Sequence, residues 1–273
     1  MRLRSGFGLL ALAATAVAVA FLVLPVVAIF ADVSPGRLLD ALGEESAREA
    51  LWLSLRTTAI AMAIVVAVGA PAAYLLALRR FRGRALVLTA IELPLVMPPA
   101  VAGIALLAAL GPDGILGGAV EDTGLELVFQ TAGVVVALVF VSAPFFLRQA
   151  IAAFAALDPR LLEAARTLGA GPFRAFATVA VPSARPGLAA GLALAWGRAL
   201  GEFGATLLFA GSLEGVTQTA PLAIFSEFSR PEGFVSALAL SAVLIVVAAA
   251  ILVGVKLLGA DRVVEAPVGT EGR

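Results

Sequence analysis

Six apolar segments, each long enough to cross a bilayer, constrain this chain more than any other feature. They run over residues 7–31, 51–78, 85–110, 127–147, 187–211 and 234–258. A hydrocarbon core about 30 Å thick takes about 20 residues of helix, and each segment reaches that length. Period-two alternation is absent, and lipid offers no partner to an open strand edge, so helices are the expected elements. Only 14% of the residues are charged, against about 25% in a soluble domain, so lipid must solvate most of the surface. The sequence therefore predicts an all-α integral membrane protein, a single domain over residues 1–273 with six transmembrane helices. Arg2 and Arg4 precede the first segment, as in a signal peptide. Its apolar stretch outruns the roughly 7–15 residues of a signal core, and Ile29-Phe30-Ala31 is a poor cleavage site, so it reads as an uncleaved first span.

Charge orients the spans. With the N-terminus inside, fourteen of the 19 basic residues fall on the inner side, among them Arg79, Arg80, Arg82, Arg84, Arg148, Arg160, Arg166, Arg174, Arg185 and Lys256. The outer side holds only Arg37, Arg48 and Arg230, with Arg56 and Arg198 left within spans. The positive-inside rule then places both termini in the cytoplasm. The chain has no cysteine and no histidine, which excludes disulfides, thiolate or imidazole metal sites and histidine-based acid–base catalysis. No cofactor and no metal is expected, and no nucleic acid as a partner.

The inner loop over 148–186 is long for a membrane protein. Asp158 can cap a helix whose first turn holds Pro159, and Gly169 can end it in a left-handed turn. Leu161, Leu162, Ala165 and Leu168 fall on one apolar face at helical spacing. A helix lying on lipid headgroups would concentrate Lys and Arg on its polar face. This one mixes Glu163 with Arg160 and Arg166 and is rich in alanine, which suits close contact with a protein. A second helical stretch, then Pro182 and Pro186, is expected to lead into the fifth span.

Two constellations lie within the spans. Arg198 and Glu202 are four residues apart, hence on one helix face and able to pair. Either alone near the bilayer centre costs roughly 2.5–3.5 kcal/mol on insertion scales. The pair can fix helix packing, line a permeation path, or do both, and Gly201 and Gly204 beside it permit close helix approach. In the third segment Pro94, Pro98 and Pro99 remove helical donors, so that span must kink or unwind. Such a break is tolerated where protein or water satisfies the freed carbonyls, either as a packing kink or as a discontinuous element bordering a path.

Glu163-Ala164-Ala165, then Gly169, Val179 and Val181-Pro182, form a pattern that resembles the cytoplasmic loop of permeases of bacterial ABC importers. Valine at 179 and 181 departs slightly from that pattern. Arg198 to Thr206, with the core Gly201-Glu202-Phe203-Gly204, is similar to the molybdate branch, and sulfate and thiosulfate permeases share that core. The resemblance implies the type I importer permease fold in the cell membrane of a prokaryote. It implies docking to cytoplasmic ATPase subunits through Glu163, Ala164, Ala165, Arg166, Gly169 and Pro182. It also implies a second copy of the chain and an extracytoplasmic oxyanion-binding protein. From the ion pair, the glycines and the prolines, a gate or pathway is expected near Arg198, Gly201, Glu202, Phe203, Gly204, Pro94, Pro98 and Pro99. The cargo expected is molybdate, with tungstate, sulfate or thiosulfate as alternatives. No Gly-x-x-x-x-Gly-Lys-Ser/Thr phosphate loop occurs, so ATP hydrolysis must come from another polypeptide. An ion-coupled secondary transporter is the competing class, and it leaves the 148–186 loop unexplained. An intramembrane hydrolase finds neither the histidine nor the Gly-x-Ser-x-Gly it would need.

Overall fold

The computed structural model describes residues 6–34, 36, 40 and 43–260. Arg2, Arg4 and Arg37 lie outside them. The helices are α1 (Gly6–Asp32), α2 (Glu45–Leu78), α3 (Arg84–Val96), α4 (Pro99–Leu110), α5 (Gly117–Glu121), α6 (Thr131–Ala155), α7 (Pro159–Thr167), α8 (Pro172–Ala175), α9 (Val181–Leu200), α10 (Gly204–Ala210), α11 (Ala220–Phe228) and α12 (Phe234–Ala260). A π-turn over Phe176–Ala180 joins α8 to α9 without a break. No strand occurs among the described residues.

Helices α1, α2, α6 and α12 are each long and apolar enough to cross a membrane, and α3 with α4 supply a fifth crossing if that bent pair is one span. Two of the expected spans are therefore not single helices. The segment over 85–110 is bent by 119° between Val96 and Pro99. Pro98 takes an extended conformation and accepts the first helical bond of α4 from the Ala102 N–H at 3.1 Å. The segment over 187–211 is interrupted at Gly201–Phe203, where Phe203 has a non-helical backbone. Helix α6, expected to end at Leu147, runs to Ala155, so Arg148 sits on a helical extension rather than in a loop.

Helices α2, α6 and α9 form the centre. Lipid is as apolar as a leucine side chain, so contact between spans depends on close packing rather than on escape from water. Small residues provide it. A Cβ at Gly187 would stand 2.5 Å from Ala153 Cβ, and one at Gly191 would stand 3.0 Å from Gln149 Cβ, so α6 and α9 touch nearly backbone to backbone. Phe146, Phe154, Leu138 and Met62 fill the space left between them. Buried hydroxyls are satisfied locally: Thr57 donates to the Leu53 carbonyl at 2.7 Å and Ser142 to that of Leu138 at 2.6 Å. The Trp196 indole N–H donates to Thr58 Oγ1 at 3.2 Å, and Tyr74 stacks near Phe176, so α2 and α9 run antiparallel side by side. Helix α12 packs on α9 and α11, while α1 packs on α12 and leaves its apolar surface uncovered.

Candidate functional site

The helix after Asp158 forms as its sequence requires. The Asp158 carboxylate accepts the Arg160 N–H at 3.0 Å, and Pro159 occupies the first turn. At the other end Gly169 has φ +80°, the Gly169 N–H donates to the Arg166 carbonyl, and the Ala170 N–H donates to that of Ala165, both at 2.9 Å. These two bonds close a left-handed C-terminal cap that only glycine enters without strain. Helix α7 rests on the bundle through Leu162 and Ala165, which are buried. Glu163, Ala164, Arg166 and Gly169 are exposed. The apolar face predicted from spacing is thus split: Leu161 is turned outward and Leu168 is 87% exposed. Phe173, which no periodicity singles out, is 80% exposed just beyond the cap. Ala165 packs against the bundle instead of lying on the exposed face.

Pro182 lies elsewhere, at the foot of α9. Its ring would collide with the carbonyl four residues earlier in a regular helix. The turn before it is instead widened, and the Val181 N–H donates to the Phe176 carbonyl five residues back. Phe176 on that turn meets Tyr74 of α2 and Phe154 of α6, with ring centroids 5.0 and 6.1 Å away. Helix α7 and the α8 turn that follows it are therefore joined by a short, aromatic-locked segment to α9.

At the far end of α9 the sequence-predicted ion pair is present. Arg198 Nη2 lies 2.6 Å from Glu202 Oε2, with Glu202 1% and Arg198 28% exposed. The other carboxylate oxygen accepts the Ala205 N–H at 2.7 Å. One side chain thus caps the start of α10 and holds an arginine. A carboxylate at a helix N-terminus is favoured by the free N–H groups and the helix dipole. A Cβ at Gly204 would stand 2.8 Å from Pro99 Cβ, and one at Gly103 would stand 2.8 Å from Leu208 Cβ. The break over Gly201–Phe203 is therefore in contact with the proline break, and Pro98 and Pro99 join Gly201, Glu202, Phe203 and Gly204 in one place. Pro94 stays inside the last turn of α3. Nearby on α3, Glu92 lies 3.9 Å from Arg148 of α6, both well exposed.

Beside these breaks Phe203 and Phe225 stack at 5.0 Å. They line an open cleft of about 450 Å³ with Gly201, Pro221, Ile224 and Phe228. Sequence reasoning missed Phe225 and Phe228, and also the buried threonines 206, 217 and 219. The hydroxyl of Thr217 accepts the Leu213 N–H at 2.8 Å and Ser54 accepts that of Ala220 at 2.7 Å, so α2 caps α11 across 166 residues of chain. No local signal encodes such a contact. Among the described residues no group of acidic, histidine or cysteine side chains is placed to hold a metal.

Known proteins share this design. The molybdenum transport system permease protein ModB of Mycobacterium tuberculosis is 41% identical over 260 residues, 93% of each chain. The sulfate transport system permease protein CysW of Synechocystis is 35% identical over 214 residues, 77% of this chain and 77% of that one. Among solved structures, a chain of the bacterial alginate ABC transporter in complex with its alginate pentasaccharide-bound periplasmic protein superposes with a TM-score of 0.75 at 17% identity, over 94% of this chain and 96% of that one. Residues 66–260 match the family of binding-protein-dependent transport system inner membrane components. The chain is a multi-pass cell-membrane permease subunit and belongs to that family.

Proposed function

We propose that this permease imports molybdate, driven by ATP hydrolysed on separate cytoplasmic subunits, as a homodimer fed by an extracytoplasmic oxyanion-binding protein. Six crossings with both termini cytoplasmic fit the charge distribution, the fifth being made by α9 with α10 and the third by α3 with α4. The observation that carries the mechanism is the split face of α7: Leu162 and Ala165 hold the helix to the bundle, while Glu163, Ala164, Arg166, Leu168 and Gly169 remain free with Phe173 beside them. An exposed apolar pair rimmed by one acid and one base suits a protein cleft better than water. Different contacts of that face in the open and closed states of the ATPases supply free energy that shifts the permease between inward- and outward-open forms. Glycine at 169 fixes the exit angle of the helix, and Pro182 with its widened turn passes the movement to α9.

The two touching breaks are the proposed gate. Each is a discontinuous helix of the kind found where backbone borders a pathway. The neutral Arg198–Glu202 pair offers an oxyanion no deep trap, and small residues at 103 and 204 let α4 and α10 slide. The relative named for sulfate supplies the second reading, in which the cargo is sulfate. The experiment is reconstitution of the permease with its ATPase and binding protein in proteoliposomes. ATP-dependent uptake of radiolabelled molybdate, outcompeting equimolar sulfate, is expected. Uptake that persists without ATP and collapses with an ion gradient would replace this reading with a secondary transporter.

A further inference from the structure

A groove of about 420 Å³ runs along the foot of α9 from Pro182 inward, remote from the paired breaks. Its walls are Val66 and Ala70 of α2, Leu188 and Leu192 of α9, and Val255 of α12, and Arg185 stands in its lining. Arg185 is the one charged group among the described residues that line it, and the exposed Lys256 follows Val255. The trough is otherwise hydrocarbon.

Its depth matches one leaflet. At about 1.5 Å per helical residue, Leu192 lies about 10 Å inward of Arg185 along α9. Half of a bilayer core of about 30 Å is about 15 Å. Tyr74 beside Phe176 shows that the foot of α9 adjoins the Arg79 end of α2, so along α9 the cation lies nearer that end than Leu188, Ala189 and Leu192, which line the groove further in. We infer that this groove binds an anionic phospholipid of the inner leaflet, an acyl chain in the trough and the phosphate on Arg185. The inference rests on the orientation proposed above, with the Arg79 end cytoplasmic, where the leaflet is rich in anionic lipid. A second copy of the chain has a different face to cover. Helix α3 buries none of its residues, and it contributes none to the groove.

The test is native mass spectrometry of the intact permease–ATPase complex, delipidated and titrated in parallel with dioleoylphosphatidylglycerol and dioleoylphosphatidylcholine. The wild type is expected to retain the anionic lipid selectively, and Arg185→Ala to weaken that preference about fivefold, with Arg185→Lys retaining it. Ala189→Phe, which fills the trough, is expected to reduce retention of both lipids. Glycerol 3-phosphate, a headgroup without chains, is expected not to displace the bound lipid. Equal retention of the two lipids by the wild type overturns the inference, as does an unchanged preference in Arg185→Ala or unchanged retention in Ala189→Phe. Displacement by glycerol 3-phosphate also overturns it, in favour of a soluble-phosphate site. ATP-dependent uptake measured on the same preparations separates the two proposals: lipid selectivity lost with uptake intact strikes this one alone, and the reverse strikes the transport reading alone.

Discussion

Glu202 does two things with one carboxylate: it caps α10 and it pairs with Arg198. Arg198→Ala leaves a carboxylate that is 1% exposed without its counter-charge, a loss of about 3–5 kcal/mol where a buried pair is broken. Glu202→Gln keeps an acceptor for the Ala205 N–H and leaves a partly exposed arginine that water can reach. The expected outcome is a larger fall in thermal midpoint and membrane yield for Arg198→Ala than for Glu202→Gln, read by fluorescence-detected size exclusion. Equal, mild effects would contradict a buried pair. Gly204 is the second sensitive residue. Gly204→Val must push Pro99 away, at a cost of about 1–3 kcal/mol for overpacking. It is expected to abolish uptake while the complex with the ATPase still assembles on a pull-down, because the α4–α10 contact is remote from α7.

Among the elements, α7 carries its instructions locally. Asp158, Pro159 and Gly169 are start and stop signals that act within a turn, so the helix was legible to within a residue of its end. The proline break was legible for the same reason, although it falls after Val96 and spares Pro94. The interruption at Gly201–Phe203 was not. Apolar residues continue on both sides, and what marks the break is the Glu202 cap on the start of α10 together with the approach of Pro99 from another helix to Gly204. Phe173 was missed because exposure of an aromatic after a glycine turn leaves no periodic trace. For α7 itself, Gly169→Pro forces φ from +80° to about −65° and destroys the cap. Glu163→Lys reverses one charge on the exposed face. Both variants are expected to insert normally and to lose ATP-driven uptake at least tenfold. Normal uptake by either would remove α7 from the coupling path.

At the scale of the whole molecule, the central helices α2, α6 and α9 are locked by small residues and interlocking aromatics, whereas one face of α7 stays exposed. The proposed docking face of α7 and the paired breaks lie at opposite ends of α9, a helix of 20 residues about 30 Å long. Coupling therefore needs only that α9 move as a rod when α7 is pulled, with the aromatic contacts of Phe176 holding its foot. Tyr74→Ala would loosen that foot, and the expected signature is ATP hydrolysis retained but uptake per ATP lowered severalfold. A proportional fall in both would assign Tyr74 to stability alone.

The chain lacks cysteine, so Leu168→Cys introduces a unique thiol on the proposed docking face, and crosslinking it to the ATPase subunit tests the central claim most directly. A short bifunctional reagent is expected to give a permease–ATPase adduct whose yield changes between the nucleotide-free and ATP-bound states. An adduct forming equally in both states, or none at all in a complex that still imports molybdate, would contradict α7 as the point where ATP hydrolysis is coupled to the bundle.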